Sequence, residues 1–169
     1  MEIWDGLNRD GSLADIQLIR GEAIPDGIYH LVCEVIVQHE DGEILLMKRD
    51  LNKPSFPGFL EASAGGSALA GEDKIECITR ELEEETGIIA TNITEIGRYV
   101  YDDDQCIFHC FHTIVSCQKD TVTLQKSETI AYKWVTLSSF LQFILNGELI
   151  EGQVSRLQPF LQANGVGLS

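Results

Sequence analysis

The residues best equipped for chemistry are a run of acids between positions 72 and 85: Glu72, Asp73, Glu76, Glu81, Glu83, Glu84 and Glu85, with Arg80 among them. On a helix at about 100° per residue, Glu81, Glu84 and Glu85 fall within one arc of roughly 100°. Spacings of three and four residues make these side chains neighbours, and like charges so placed repel by roughly a few tenths of a kcal/mol per pair. A hard divalent cation gives the arrangement a purpose, because Mg²⁺ takes oxygen ligands and keeps waters and substrate phosphates in its shell. A solvated acidic face would carry the same residues, so the helix pattern alone leaves both readings open. A Gly-rich loop before the helix, an Arg beside Glu81 and a Gly at the helix end weigh toward the cation site.

The elements that must hold this helix are legible as periodicities. Residues 70–86 have a helical pattern, with Ile75, Ile78 and Leu82 on the apolar side and Gly87 where a helix commonly ends in a left-handed residue. Residues 30–39 are rich in β-branched side chains and read as a strand. Asp41-Gly42 then turns the chain, and residues 43–48 read as the partner strand. Residues 49–66, punctuated by Pro54, Pro57, Gly58, Gly65 and Gly66, read as one long loop of the kind that is often functional. Residues 93–101, 105–117, 121–124 and 131–135 read as further strands, and 137–145 and 154–163 as closing helices. Residues 1–27, with turn signals at Arg9-Asp10-Gly11 and Pro25-Asp26-Gly27, read as an N-terminal β-hairpin laid against the main domain. No internal repeat is visible. The expectation is one α/β domain over residues 1–169, an α/β/α sandwich around a mixed sheet.

Composition narrows the partners. The formal net charge is −15, and only 12 Lys and Arg are scattered along 169 residues. A surface that tracks a nucleic-acid backbone needs clustered cations, so nucleic-acid polymers and anionic membranes are not expected partners. A small anion can still bind if metal cations sit between it and the protein. No apolar run approaches the ~20 residues of a membrane span, and the acidic start lacks the order of a signal peptide, so a cytoplasmic location is expected. Five cysteines without framework spacing fit reduced thiols. Cys106, His109, Cys110 and His112 could suggest zinc, but on a strand His109 points away from the other three and no second ligand pair follows. Sheet packing is the favoured reading there, and Asp102-Asp103-Asp104 reads as a turn.

Gly66-Ser67-Ala68-Leu69-Ala70-Gly71-Glu72, seven residues, then Arg80-Glu81-Leu82-Glu83-Glu84-Glu85-Thr86-Gly87-Ile88 match the Nudix box at every defined position. Lys48-Arg49, Pro57-Gly58 and Gly65-Gly66 are similar to the approach to that box, so the chain resembles the Nudix hydrolase family over about residues 28–140. The resemblance implies a small-molecule diphosphate substrate, cleaved by attack of a metal-activated water with Mg²⁺ (or Mn²⁺) as cofactor. It implies Glu81, Glu84 and Glu85 as metal ligands with the Gly65 carbonyl as an extra one. Glu72 and Arg80 would hold the loop and orient Glu81, while Gly66 and Gly87 would be conformational. The base would be Glu81 or Glu128, since some members place a carboxylate from the corresponding loop in the metal site; Glu128 as a plain surface acid is the competing reading. Arg49 would contact substrate phosphate or form a surface ion pair. Tyr132, Trp134 and Phe59 could stack on a base, although core packing is the commoner role.

The hairpin followed by Gly27-Ile28-Tyr29-His30 also resembles the Nudix subgroup that contains isopentenyl diphosphate isomerase. Those isomerases carry a catalytic Cys just before the metal-binding helix, and their box departs from the hydrolase pattern. Here that segment reads Glu61-Ala62-Ser63-Ala64-Gly65 and the box is intact, which favours hydrolysis. A ligand-binding module that has lost catalysis would be expected to show an eroded box. The substrate stays open among nucleoside diphosphate derivatives and other organic diphosphates, as does assembly into a homodimer.

Overall fold

The computed structural model describes residues 1–167. The chain runs β1 (Ile3–Leu7), β2 (Leu13–Ile19), β3 (His30–His39), β4 (Ile44–Arg49), β5 (Leu60–Glu61), β6 (Ala64–Ser67), α1 (Lys74–Thr86), β7 (Ile93–Tyr101), β8 (Cys106–Val115), β9 (Thr129–Val135), α2 (Leu137–Leu145), α3 (Glu151–Arg156) and α4 (Gln158–Ala163). β1 and β2 form the expected antiparallel hairpin as a separate small sheet. The remaining seven strands form a mixed sheet in which β3 and β8 run parallel along ten residue pairs while the other pairings are antiparallel.

The centre of that sheet is buried on both faces, which is why β3 and β4 read as nearly continuous apolar runs rather than alternating ones. Val35, Val37, Leu45 and Met47 point to one side, where they pack with Phe111 and with Ile78 and Leu82 of α1. Ile36, Ile44 and Leu46 point to the other, against Phe140, Leu157, Phe160 and Leu161 of the C-terminal helices. The fold is therefore the helix–sheet–helix sandwich expected, with α1 alone on one face.

Several expectations need correcting. α1 begins at Lys74, not at 70, because Asp73 caps it: its side chain accepts from the Ile75 and Glu76 N–H groups, and the Glu76 carboxylate closes a capping box. Ile75 is exposed, so the apolar side of α1 is Cys77, Ile78 and Leu82. The segment 49–66 is not one loop. Its end forms β5 and β6, and β6 pairs Gly65 and Gly66 with Glu34 and Cys33 of β3. A Cβ on Gly65 would lie 2.6 Å from the Cys33 carbonyl, so that glycine marks a close backbone approach rather than a turn. β4 meets β3 only beside the turn and pairs mainly with β9. Residues 121–124 are not a strand: a single 3-10 turn (Lys119–Thr121) leads to Thr123, whose N–H donates to the Thr86 carbonyl at the end of α1. The expected last helix is two short ones, because Pro159 has no N–H to give and starts a new helix instead of continuing α3.

Candidate active site

α1 presents its carboxylates unequally. Glu81 and Glu85 are 9% and 6% exposed on the side turned to β6, whereas Glu84 stands at the surface. Arg80 organises the start of the array. Its Nε and Nη2 fork onto Glu72 at 2.6 and 2.9 Å, and its Nη1 reaches Glu81 at 2.7 Å and Glu84 at 3.3 Å. Glu72 in turn accepts from the Leu69 N–H at 2.8 Å, which pins the loop that enters the helix. Glu85 accepts from the Gly65 N–H at 2.9 Å, tying the far end of the array to β6. Gly66 is not held in a left-handed conformation; it is small because a Cβ there would sit 2.4 Å from a Glu81 carboxylate oxygen. Gly87 does adopt the left-handed conformation, with φ of 72°, and its N–H donates to the Glu83 carbonyl.

These groups share one cleft of about 210 Å³ whose walls include Gly65, Gly66, Arg80, Glu81, Glu84 and Glu85. Arg49 and Glu128 also line it, so the fold brings both sequence-picked candidates to the box. Each is paired. Arg49 donates to Glu61 at 2.9 Å and to the Ser55 carbonyl at 3.0 Å, and Glu128 is held by the Lys53 ammonium. Glu72 lies behind Arg80 and outside the cleft wall. Five further residues at the site had no signal in the sequence. Lys53 and Glu61 sit in the segment taken for loop, Glu2 and Arg20 come from the hairpin, and Gln125 precedes β9; all but Glu61, which acts on Glu85 through its charge, line the cleft. Their nearness to the box follows from strand pairing and hairpin docking, which no local pattern encodes.

The electrostatics are those of crowded carboxylates. Burial pushes Glu85 well above the usual carboxylate range, and repulsion from Glu61, Glu81 and Glu128 adds to it, against the Gly65 hydrogen bond. Burial also raises Glu81 and Glu61, opposed by Arg80 and Arg49 respectively. Glu72 is held low by the Arg80 fork. Among the described residues no three His, Cys, Asp or Glu side chains already converge to hold a metal ion, and the oxygens of α1 are engaged by Arg80 and the Gly65 N–H. The donor set nonetheless fits a hard divalent cation. It is all oxygen, its members repel one another, and the missing side chain of Gly66 makes room for the Glu81 carboxylate.

The other features singled out in the sequence lie elsewhere. Cys110 donates to Glu34, His109 pairs with Glu95 and His112 with Gln38. Asp102 closes a turn and takes the fork of Arg9. Tyr132 and Trp134 pack against the core on the α1 side, and Phe59 meets Phe56 edge to face.

Residues 29–156 match the NUDIX domain family model. An uncharacterized Nudix hydrolase of Listeria monocytogenes is 33% identical over 150 residues, covering 89% of each chain. The uncharacterized Nudix hydrolase YfcD of Escherichia coli K12 is 32% identical over 134 residues, or 79% of this chain and 73% of that one. Among solved structures, the Deinococcus radiodurans protein DR0079 superposes with a TM-score of 0.75 at 19% identity, over 92% of this chain and 96% of the other, and so shares the fold. With the acid array of α1 inside the matched region, the chain belongs to the Nudix family and is a pyrophosphohydrolase of the Nudix hydrolase type.

Proposed function

We propose that the cleft hydrolyses the diphosphate linkage of a nucleoside diphosphate derivative or a similar small organic diphosphate, with Mg²⁺ or Mn²⁺ held by Glu81, Glu84, Glu85 and the Gly65 carbonyl. The observation that carries this reading is the meeting, in one cleft, of the α1 carboxylates with Arg49 and Lys53 from a different part of the chain. Carboxylates alone would repel a diphosphate, and cations alone would not bind metal; the mixture suits an anion bridged to the protein by cations. Bound divalent cations would neutralise the diphosphate oxygens and acidify the attacking water.

The chain's own groups divide the remaining work. Arg80 and Glu72 fix the rotamer of Glu81. Arg49 and Lys53, now paired with Glu61 and Glu128, would take phosphate oxygens in their place. Glu128 or Glu81 would accept the proton from water as it attacks one phosphorus and the bridging oxygen leaves with the other. A second cavity of about 200 Å³ shares Arg49, Gly65 and Gly66 with the cleft and is lined by Phe56, Phe108 and Ile150 with polar groups of Gln153 and Arg156. It offers room for the organic part of the substrate. The isomerase alternative loses support at Ser63, which occupies the segment of the isomerase Cys but is buried, accepting from the Val37 N–H and donating to the Leu45 carbonyl.

The test is one hydrolysis screen with Mg²⁺ and Mn²⁺ across nucleoside diphosphate sugars, ADP-ribose, dinucleotides, nucleoside triphosphates and prenyl diphosphates. Turnover of at least one class is expected, reduced about 100-fold or more by Glu84→Gln or Glu85→Gln. Ligand binding without turnover on any class would reject the enzymatic reading of the cleft. A kcat lowered about 100-fold in Glu128→Gln assigns the base to Glu128; an unchanged kcat assigns it to Glu81.

A further inference from the structure

The hairpin precedes the matched domain, yet it reaches the reaction cleft. β1 docks on the loop that leads into α1: the Ala70 N–H donates to the Ile3 carbonyl at 2.8 Å and the Gly71 N–H to an Asp5 carboxylate oxygen at 2.7 Å. At its other end Leu7 and Tyr29 exchange both backbone hydrogen bonds, at 2.8 and 2.9 Å, and pack with Ile107. Between these points Trp4 stacks on His30 with ring centroids 4.4 Å apart. Arg9, in the hairpin turn, forks onto Asp102. A hairpin tied at both ends and along its length is a fixed wall, not a loose arm.

That wall delivers a guanidinium. Arg20 directly follows β2 and Glu2 directly precedes β1, so the two meet at the open end of the hairpin, where the Arg20 Nη1 donates to Glu2 at 2.5 Å. Both line the cleft that holds Glu81, Glu84, Glu85 and Glu128. The Arg20 side chain is 60% exposed, and an exposed ion pair of this kind adds less than about 1 kcal/mol to stability. The fold therefore has little need of it. A charge that the fold does not need, fixed at the rim of an anion-cleaving cleft, calls for a ligand.

We propose that Arg20 is a substrate-binding residue whose guanidinium exchanges Glu2 for a phosphate oxygen of the diphosphate, which makes the N-terminal hairpin part of the active site. The proposal rests on the diphosphate reading of the cleft. Glu2 takes one donor of the planar Arg20 fork, and a phosphate can take two, so Glu2 acts as a stand-in that a diphosphate displaces. Arg49 and Lys53 reach the same cleft from the segment after β4, so the phosphates are gripped by basic groups from two separate parts of the chain.

Calorimetric binding of inorganic pyrophosphate in the presence of Mg²⁺ tests this on the full chain, with Arg20→Ala and Arg20→Lys compared to the unaltered protein. Arg20→Ala is expected to weaken binding about tenfold or more, as loss of a charge-assisted hydrogen bond should. Arg20→Lys keeps an ion pair to Glu2 but lacks the fork, so an intermediate loss is expected from a variant whose docking is preserved. With a turned-over substrate, KM should rise about tenfold while kcat stays within about threefold. Equal pyrophosphate affinity in all three proteins would overturn the role of Arg20 while leaving the cleft reading intact. No affinity in the unaltered protein would overturn both.

Discussion

A methyl group added at Gly66 would meet the Glu81 carboxylate. It would sit 2.4 Å from one Glu81 oxygen and 2.5 Å from the carboxyl carbon, so the carboxylate must leave the place where Arg80 now holds it. Gly66→Ala should lower kcat by about 100-fold, the scale of an ångström-sized misplacement of the proposed metal ligand, with a much smaller change in melting temperature. Initial rates beside a thermal melt will separate the two effects. The box residues could be read directly from the chain, and the resemblance gave Glu72 and Arg80 the task of holding the loop, but the fork of Arg80 on Glu72 is visible only in the fold. The reason for Gly66 could not: a sequence suggests backbone freedom for any glycine, and only the packed Glu81 shows that the requirement is space. Glu61, Lys53 and Arg20 were equally hidden, because each is brought to the site by contacts between segments far apart in the chain.

At the scale of elements, α1 is defined by its two caps, and both are short-range signals. Asp73 satisfies two N–H groups at the start, and Asp73→Ala should cost about 1 kcal/mol in a denaturant titration. The strands of the sheet centre were legible for a related reason, since burial on both faces leaves an apolar run of strand length. What failed were segments whose structure depends on a partner. Residues 121–124 have strand-like composition, yet the Thr123 N–H goes to the end of α1. α3 matters beyond its six residues because it carries Gln153 and Arg156 to the buried Glu34, where Arg156 Nε and Nη2 fork onto the carboxylate at 2.8 and 2.9 Å and the guanidinium carbon lies 3.8 Å from the Phe108 ring centre. Arg156→Met would leave that carboxylate buried without its ion-pair partner. A loss of about 3–5 kcal/mol is expected by chemical denaturation, and a loss under about 1 kcal/mol would show that the pair is not structural.

For the whole molecule, the charge of −15 is a standing self-repulsion that any salt screens and that a divalent cation held in the cleft, as proposed, would relieve locally. Mg²⁺ should therefore raise the melting temperature beyond NaCl at matched ionic strength, and EDTA should abolish turnover. Identical melting curves in the two salts would argue against a cation site in the cleft. The sandwich architecture itself was readable from alternating element types. The parallel register of β3 on β8 was not, because nothing local states which strands pair. Glu34 and Arg156 also set a timetable. They are 122 residues apart, so at about 5–20 residues per second a ribosome makes the acid roughly 6–24 s before its partner. Until then β3 holds a charge that has no reason to leave water, and the arrival of α3 lets the sheet close over it.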